Sequence, residues 1–464
     1  MAIGCAFARH FEDRHGSREG FAVSPSESRT EGGRRQESEG PHLNTKNQAV
    51  IWSCMRGSCR LPRSMASSGN GKIVRPRTVR GANTEPTESP PGRRPIVNRL
   101  QFLTAIPPNV QGGSGCYVGT RTLVDGIRAL GTGVEMVTPQ VRLPVFAATR
   151  LLFNETLRWR AFDADATVGI DADGYARAGK RNSPPHIACI KGVMGDAVRF
   201  ETGVTRASMA FQSQLEAKNA RRADLVMTIS RYCAERIEEL YGVSGAVVVP
   251  EVIDLKAWRQ LFDSNPARPN RDRFTVLSVC HFYPRKCLDI LLRAAAQLHP
   301  MIPELEIRIV GNGPQYKRLQ AICTELHLEK IVHWLGHVPL ARLAQEYQSA
   351  HVFCLPSLQE GFGIVFLEAM AAGKPIVAAR AAAVPEVVLS GILVEPESPE
   401  ALADGLVRLY RDPSLCSTLG SAGCRDVEQF DVHRVARLFL SEVAKVAPGS
   451  SIGSQRTEEL MNGR

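Results

Sequence analysis

The chain has 464 residues, 44% of them hydrophobic, enough for two or three domains with sizeable cores. Residues 1–96 hold 16 Lys+Arg against 9 Asp+Glu, a net +7 out of the total +10, so the rest carries only +3 and no global nucleic-acid footprint is expected. The longest apolar runs fall short of the roughly 20 residues of a membrane helix. No apolar segment follows a basic start as in a secretory leader, and twelve scattered cysteines without a CxxC pair read as reduced thiols of a cytoplasmic protein.

Residues 1–95 are rich in Arg, Ser, Gly, Glu and Pro and show no periodicity, so a disordered extension is expected. An over-long start, with Met55 or Met65 as the true one, is the alternative. Acids such as Glu12, Asp13 and Glu19 argue against an organellar transit peptide. The texture changes at Pro95. PIVNRLQFLTAIPP is a strand candidate, NVQGGSGCYVGT a loop, and Val118 to Leu130 a helix; VEMVTP, DATVGI, IACIKG and LVMTIS follow as strands. A second series begins near Arg273: FTVLSVCHF, LEIRIVGNGP, IVHWLG, HVFCLPS, PIVAAR and GILVEP, with helices between. Short apolar runs alternating with helices specify parallel α/β sheets. The reading is therefore two Rossmann-like, doubly wound domains, 96–250 and 251–430, facing a cleft at their strand ends. A C-terminal helix, 431–447, and a loose tail, 448–464, complete the expected organisation.

The richest stretch runs from His351 to Ala379. Glu360 precedes a Gly361-Phe362-Gly363 turn, and Glu368 lies inside a helix that should end at Gly373. Unpaired amides at such a helix start favour an anion such as a diphosphate. Glu368 is suited to accept from a ribose diol, and Glu360 from sugar hydroxyls. The Asn312-Gly313 turn after LEIRIVG reads equally as a plain strand end.

The E-x7-E element, with SVCHFYPRKCLDILLRA upstream and the VGNGP and WLGHVP strands between, resembles glycosyltransferase family 4, a retaining family of GT-B fold. The resemblance covers roughly residues 96–447. It implies that Arg285 and Lys286 bind the donor diphosphate in place of a metal, consistent with charge developing on the leaving group. It further implies that Glu368 holds the ribose, Glu360 the transferred sugar, Phe362, Gly363 and Ile364 the sugar or phosphate through their amides, and Gly311 and Val338 the base. Gly113, in the glycine cluster Gly112 to Gly115, matches the family's phosphate-facing loop.

The chain departs from the family where many relatives have a histidine. DATVGIDADGYAR places Asp171 and Asp173 there, as sugar or acceptor contacts or as turn acids. Asp171-Ala172-Asp173 and Asp163-Ala164-Asp165 also have the DxD form of a metal motif, a pattern common by chance, and no metal is expected. Glu201 and Glu251 are further acceptor- or donor-side acids, whereas Glu216 reads better as part of a solvated helix face. The resemblance implies front-face transfer of a hexose from a nucleoside diphosphate sugar, UDP-sugar favoured, to a carbohydrate, lipid-linked or small-molecule acceptor, with no separate cofactor and no nucleic-acid partner. Peripheral membrane contact would suit a lipid acceptor. An epimerase or phosphorylase of the same fold, or a non-catalytic nucleotide-sugar-binding regulator, are the rivals.

Overall fold

A computed structural model describes residues 97–107, 110–180 and 183–447. The expected extension at 1–95 and tail at 448–464 lie outside the described residues.

The first half runs β1 (Arg99–Leu103), α1 (Val110–Ala129), β2 (Gly133–Val137), α2 (Phe146–Leu157), β3 (Ala166–Ile170), β4 (His186–Ile190), α3 (Met194–Ala197), α4 (Gly203–Arg222), β5 (Leu225–Thr228), α5 (Arg231–Tyr241) and β6 (Val247–Val248). After α6 (Leu255–Ser264), the second half runs β7 (Phe274–Val279), α7 (Leu288–Leu298), β8 (Leu305–Val310), α8 (Tyr316–Glu325), β9 (Val332–Gly336), α9 (Leu340–Ser349), β10 (Val352–Leu355), α10 (Ile364–Ala371), β11 (Ile376–Ala379), α11 (Val384–Val387) and β12 (Ile392–Val394). Helices α12 (Pro399–Arg411), α13 (Pro413–Asp426) and α14 (Val432–Ala444) close the chain.

Both sheets are six-stranded and parallel, ordered β2-β1-β3-β4-β5-β6 and β12-β11-β10-β7-β8-β9. Their strands are apolar on both faces because helices cover both: every residue of β7 is buried, as is every residue of β3 and β4. Local signals set the helices. Ser230 caps α5 by accepting from Cys233 N, Cys233, Ile237 and Tyr241 turn inward at four-residue spacing, and Gly242 ends the helix in a left-handed conformation. In each sheet the order reverses once, at β1/β3 and at β7/β10, where open α/β sheets leave a crevice at the strand ends.

One expectation changes. The first helix starts at Val110 rather than near Val118, so Gly112 to Gly115 lie within its first turns and not in a preceding loop. The C-terminal helix follows the second half in sequence but packs on the first. Phe439 stacks on Phe102 of β1 with ring centroids 5.8 Å apart, and α1 approaches so closely at Gly126 that a Cβ there would lie 2.4 Å from Val432. The chain therefore crosses back to the first half.

Candidate active site

The second half builds its site at the β7/β10 reversal. After β7 the chain makes a single 3-10 turn, Pro284–Lys286, and Cys287, in a left-handed conformation (φ 51°), redirects it into α7. That turn buries Arg285 and Lys286 against the loop leaving β10. Arg285 Nη1 donates to Gln359 O at 3.1 Å, and Leu358 N donates to Arg285 O at 2.9 Å. Lys286 Nζ is ion-paired to Glu360 Oε1, which also accepts from Ser357 Oγ at 3.1 Å. Burial alone would raise the Glu360 carboxyl, but the charges of Lys286 and then Arg285 outweigh it and hold it below the usual carboxylate range. Burial pulls Lys286 below the usual amine range, with Glu360 only partly offsetting it. Two cations and one anion thus share a pocket with a net positive charge, which suits a polyanion.

Beside them, Gly363 takes φ 91° as it enters α10, a conformation that a side chain would strain. No side chain caps this helix, so the amides of Ile364 and Val365 at its start remain directed along the dipole axis for a ligand. Phe362 turns its ring away, buried edge-on against Phe430 at 5.3 Å, so only its backbone is available at the turn. Glu368, just over one turn into α10 and 8% exposed, accepts from Tyr347 OH at 2.7 Å; burial pushes its carboxyl up to about 7. Gly311 follows β8 where a Cβ would lie 1.9 Å from Cys280 O, so the glycine permits the β7 and β8 loops to touch. Both the plain-turn and the base-pocket readings of this segment are compatible with that contact. Val338, half-buried, follows β9, whose Gly336 O accepts from Gly311 N at 2.8 Å.

The first half treats its acids differently. Asp173 is fully buried: its carboxylate accepts from Ala105 N at 2.7 Å, Arg150 Nε at 3.0 Å and Asn154 Nδ2 at 3.1 Å. Buried and held by these three donors, Asp173 takes the turn-acid alternative over the sugar or acceptor contact, tying the loop after β3 to the end of β1 and to α2. Glu251, 3% exposed, pairs with Lys191 Nζ at 2.8 Å and presses on α1 where Gly119 leaves room. Asp171, half-buried with φ 54°, accepts from Lys191 N at 2.8 Å. Glu201 is brought toward the second half, where the Arg285 charge opposes the rise that partial burial gives its carboxyl. Glu216 is no solvated face: it is wholly buried, and its Oε2 accepts from Met194 N at 2.8 Å and from Tyr241 OH. Asp165 accepts from Asn98 N and from Arg99 N at 3.0 Å, so the first DxD pair anchors the start of β1. Among the described residues no group of three or more His, Cys, Asp or Glu is placed to hold a metal, and nine cysteines are free.

Residues missed in the sequence join the halves at the glycine turn. Ser230 Oγ donates to Gly361 O at 2.8 Å, and a Cβ on Gly361 would lie 3.0 Å from Lys191 O. Glu386 accepts from Arg231 N at 2.9 Å and Tyr232 N at 2.8 Å, capping α5 from the other half. Ser230 carried a signal, a cap residue directly after a strand; Lys191, Tyr347 and Glu386 carried none, since their partners are distant in sequence.

A profile of the glycosyl transferases group 1 family matches residues 260–426, the stretch that holds Arg285, Lys286, Glu360 and Glu368. These residues form a group 1 glycosyl transferase domain. Among relatives of this transferase domain, the GDP-mannose-dependent alpha-(1-6)-phosphatidylinositol monomannoside mannosyltransferase of Mycolicibacterium smegmatis is 32% identical over 43% of this chain and 56% of its own. A D-inositol 3-phosphate glycosyltransferase of Streptomyces bingchenggensis is 35% identical over 49% of this chain and 54% of its own. The chain thus spans about half the length of the curated relatives it matches. In structure, the sucrose-phosphate synthase of Thermosynechococcus elongatus aligns at TM-score 0.62 and 20% identity, covering 79% of this chain and 100% of that one. Anabaena HepE, solved with UDP and glucose, aligns at 0.55 and 18%, covering 75% and 99%. Both likenesses concern the fold, which is GT-B, the two-sheet arrangement expected from the sequence.

Proposed function

We propose that this group 1 glycosyl transferase moves a hexose from a nucleoside diphosphate sugar to an acceptor hydroxyl with retained configuration. The observation that carries the reading is the cluster at the β7/β10 reversal: Arg285, and Lys286 paired with Glu360, beside the uncapped start of α10. A diphosphate arriving there takes Lys286 and Arg285 as counter-ions and the α10 amides as donors, and these contacts strengthen as the glycosidic bond breaks and charge builds on the leaving oxygen. Glu360, released from Lys286, accepts from sugar hydroxyls; Glu368 accepts from the ribose diol. The departing phosphate takes the acceptor proton, so no protein base is required and no metal is invoked.

The relative named for its donor uses GDP-mannose, while one solved neighbour holds UDP, so both bases are first candidates, and a lipid-linked acceptor joins carbohydrates and small alcohols. Release of nucleoside diphosphate from a panel of UDP-, GDP- and ADP-sugars, with and without EDTA, is the test, comparing the parent chain with Glu368→Ala and Lys286→Ala. Release that survives EDTA and collapses in both variants is expected. Donor binding without turnover would overturn catalysis in favour of a regulator, and abolition by EDTA would overturn metal independence.

A further inference from the structure

The strand ends of the second half carry a histidine pair beside the turn that holds Arg285 and Lys286. His281 lies just beyond the end of β7, and His337 follows Gly336, the last residue of β9. Their rings meet edge-on, with centroids 5.8 Å apart. Backbone bonds fix where the pair sits. Phe282 N donates to Asn312 O at 3.0 Å, Gln315 N to Phe282 O at 3.0 Å and Gly311 N to Gly336 O at 2.8 Å, which laces together the segments leaving β7, β8 and β9.

The sheet order puts β10 on one side of β7 and β8 and β9 on the other. Lys286 reaches toward the β10 side, where it pairs with Glu360, whereas His281 faces Asn312 and His337 on the β8 and β9 side. The His281 ring thus stands between the diphosphate cluster and the segments of Gly311 and Val338, which are expected at the base. A nucleoside diphosphate laid along these strand ends passes its nucleoside-side phosphate over that ring.

Charge selects the occupant. His281 is half-buried and is faced by His337 from beyond β9, by Lys286 and Arg285 from the turn after β7, and by the Asn312 carbonyl from the loop after β8. Burial, then the charges of His337 and Lys286, pull its ring down to about 4, so at neutral pH the ring of the empty protein is uncharged. The Asn312 carbonyl offsets this only in part. A purely structural role would be redundant, since backbone bonds already close these loops. A metal does not fit, because among the described residues the two rings belong to no group of three or more His, Cys, Asp or Glu placed to hold one. A phosphate does fit: it reverses the local field, favours the imidazolium and accepts its N–H.

We propose that His281 contacts the nucleoside-side phosphate of the donor and takes up a proton from solvent as the nucleotide sugar binds. This role rests on the proposed donor site and adds a proton-linked contact to it. With the ring returned to about its ordinary 6.5 in the complex, the bound state holds a proton that the empty state lacks, so this contact strengthens as pH falls from 8 to 5.5. Glu368 acts with the opposite sign, since its carboxyl, pushed up to about 7, sheds a proton to accept from the ribose diol. Comparing variants at each pH separates the two groups.

The test is equilibrium binding of UDP-glucose and of GDP-mannose, whose sugar-capped diphosphates do not titrate in this range, to the full chain without acceptor at pH 8 and pH 5.5. The ratio of parent affinity to that of His281→Gln should grow about tenfold from pH 8 to pH 5.5. His281→Arg, with a permanent cation, should bind about tenfold more tightly than His281→Gln at pH 8 and keep that margin at pH 5.5. Thermal melts at both pH values check folding. A parent-to-Gln ratio that does not change with pH, or an Arg variant that binds no better than the Gln variant, overturns the proposal. A parent chain that binds neither nucleotide sugar at either pH sinks the proposed donor site and this contact with it, whereas binding whose pH dependence ignores His281 sinks this contact alone.

Discussion

At the ends of β7 and β10, Arg285, Lys286 and Glu360 keep 6–8% exposure beside a helix start with no side-chain cap. After β3 and β6 and within α4, Asp173, Glu251 and Glu216 are 0–3% exposed and are taken up by Arg150, Lys191 and Tyr241 respectively. The halves share a fold, yet one keeps its buried pair beside an uncapped helix start, where the proposed function seats a ligand, and the other uses carboxylates to pin loops. A buried ion pair gains little net stability, but removing one partner leaves an uncompensated charge. On the proposed reading the same residue type is a site group in one half and a structural strut in the other.

That contrast sets the predictions. Asp173→Ala, which strands Arg150, should cost about 3–5 kcal/mol of stability, read by chemical denaturation, while the folded fraction keeps its donor affinity; a loss of donor affinity with unchanged stability would place Asp173 in the site. Lys286→Ala should lower the rate of nucleoside diphosphate release roughly 10²–10³-fold, with a smaller change in melting temperature than Asp173→Ala.

Glu368 gives a prediction in pH. Its folded carboxyl lies at about 7 against an ordinary 4.5, so the native state retains a proton that the unfolded state sheds. Stability contributed by this group is therefore present below about 4.5 and lost as pH rises through 7, where the buried carboxylate costs roughly 3 kcal/mol. Glu368→Gln should accordingly stabilise the empty protein at pH 8 and hardly at all at pH 4, measured by melting temperature across pH, while weakening donor binding at pH 8. An identical shift at both pH values would show that the carboxyl is not displaced.

The smallest effect belongs to the contact between halves. Ser230→Ala removes both the cap of α5 and the bond to Gly361 O, and should cost about 1 kcal/mol. If it also raises donor hydrolysis relative to transfer, the contact orders the glycine turn during turnover.

Much of the second half was legible in the sequence because its elements are local. A buried apolar run, a glycine turn and a helix with its end signals occupy His351 to Ala379 without interruption, so spacing alone placed Glu360 before the helix and Glu368 inside it. Legibility failed where a neighbour from elsewhere decides. The three glycines between Gly112 and Gly115 read as a loop by propensity, yet α1 extends through them, since propensity is a weak prior that tertiary context overrides. Glu216 sits among polar residues and read as solvent-facing, but Met194 N and Tyr241 OH, 22 and 25 residues away, enclose it.

The periodicity of apolar runs by itself determined two parallel sheets and the order of their strands along the chain, because burial on both faces leaves that signature in composition. Which strands neighbour one another, that the last helix returns to the first half, and which carboxylates meet a cation were decided only in three dimensions. Those outcomes depend on residues as far apart as Asp173 and Ala105, or Glu386 and Arg231, whose pairing energy exists only once the sheets have formed.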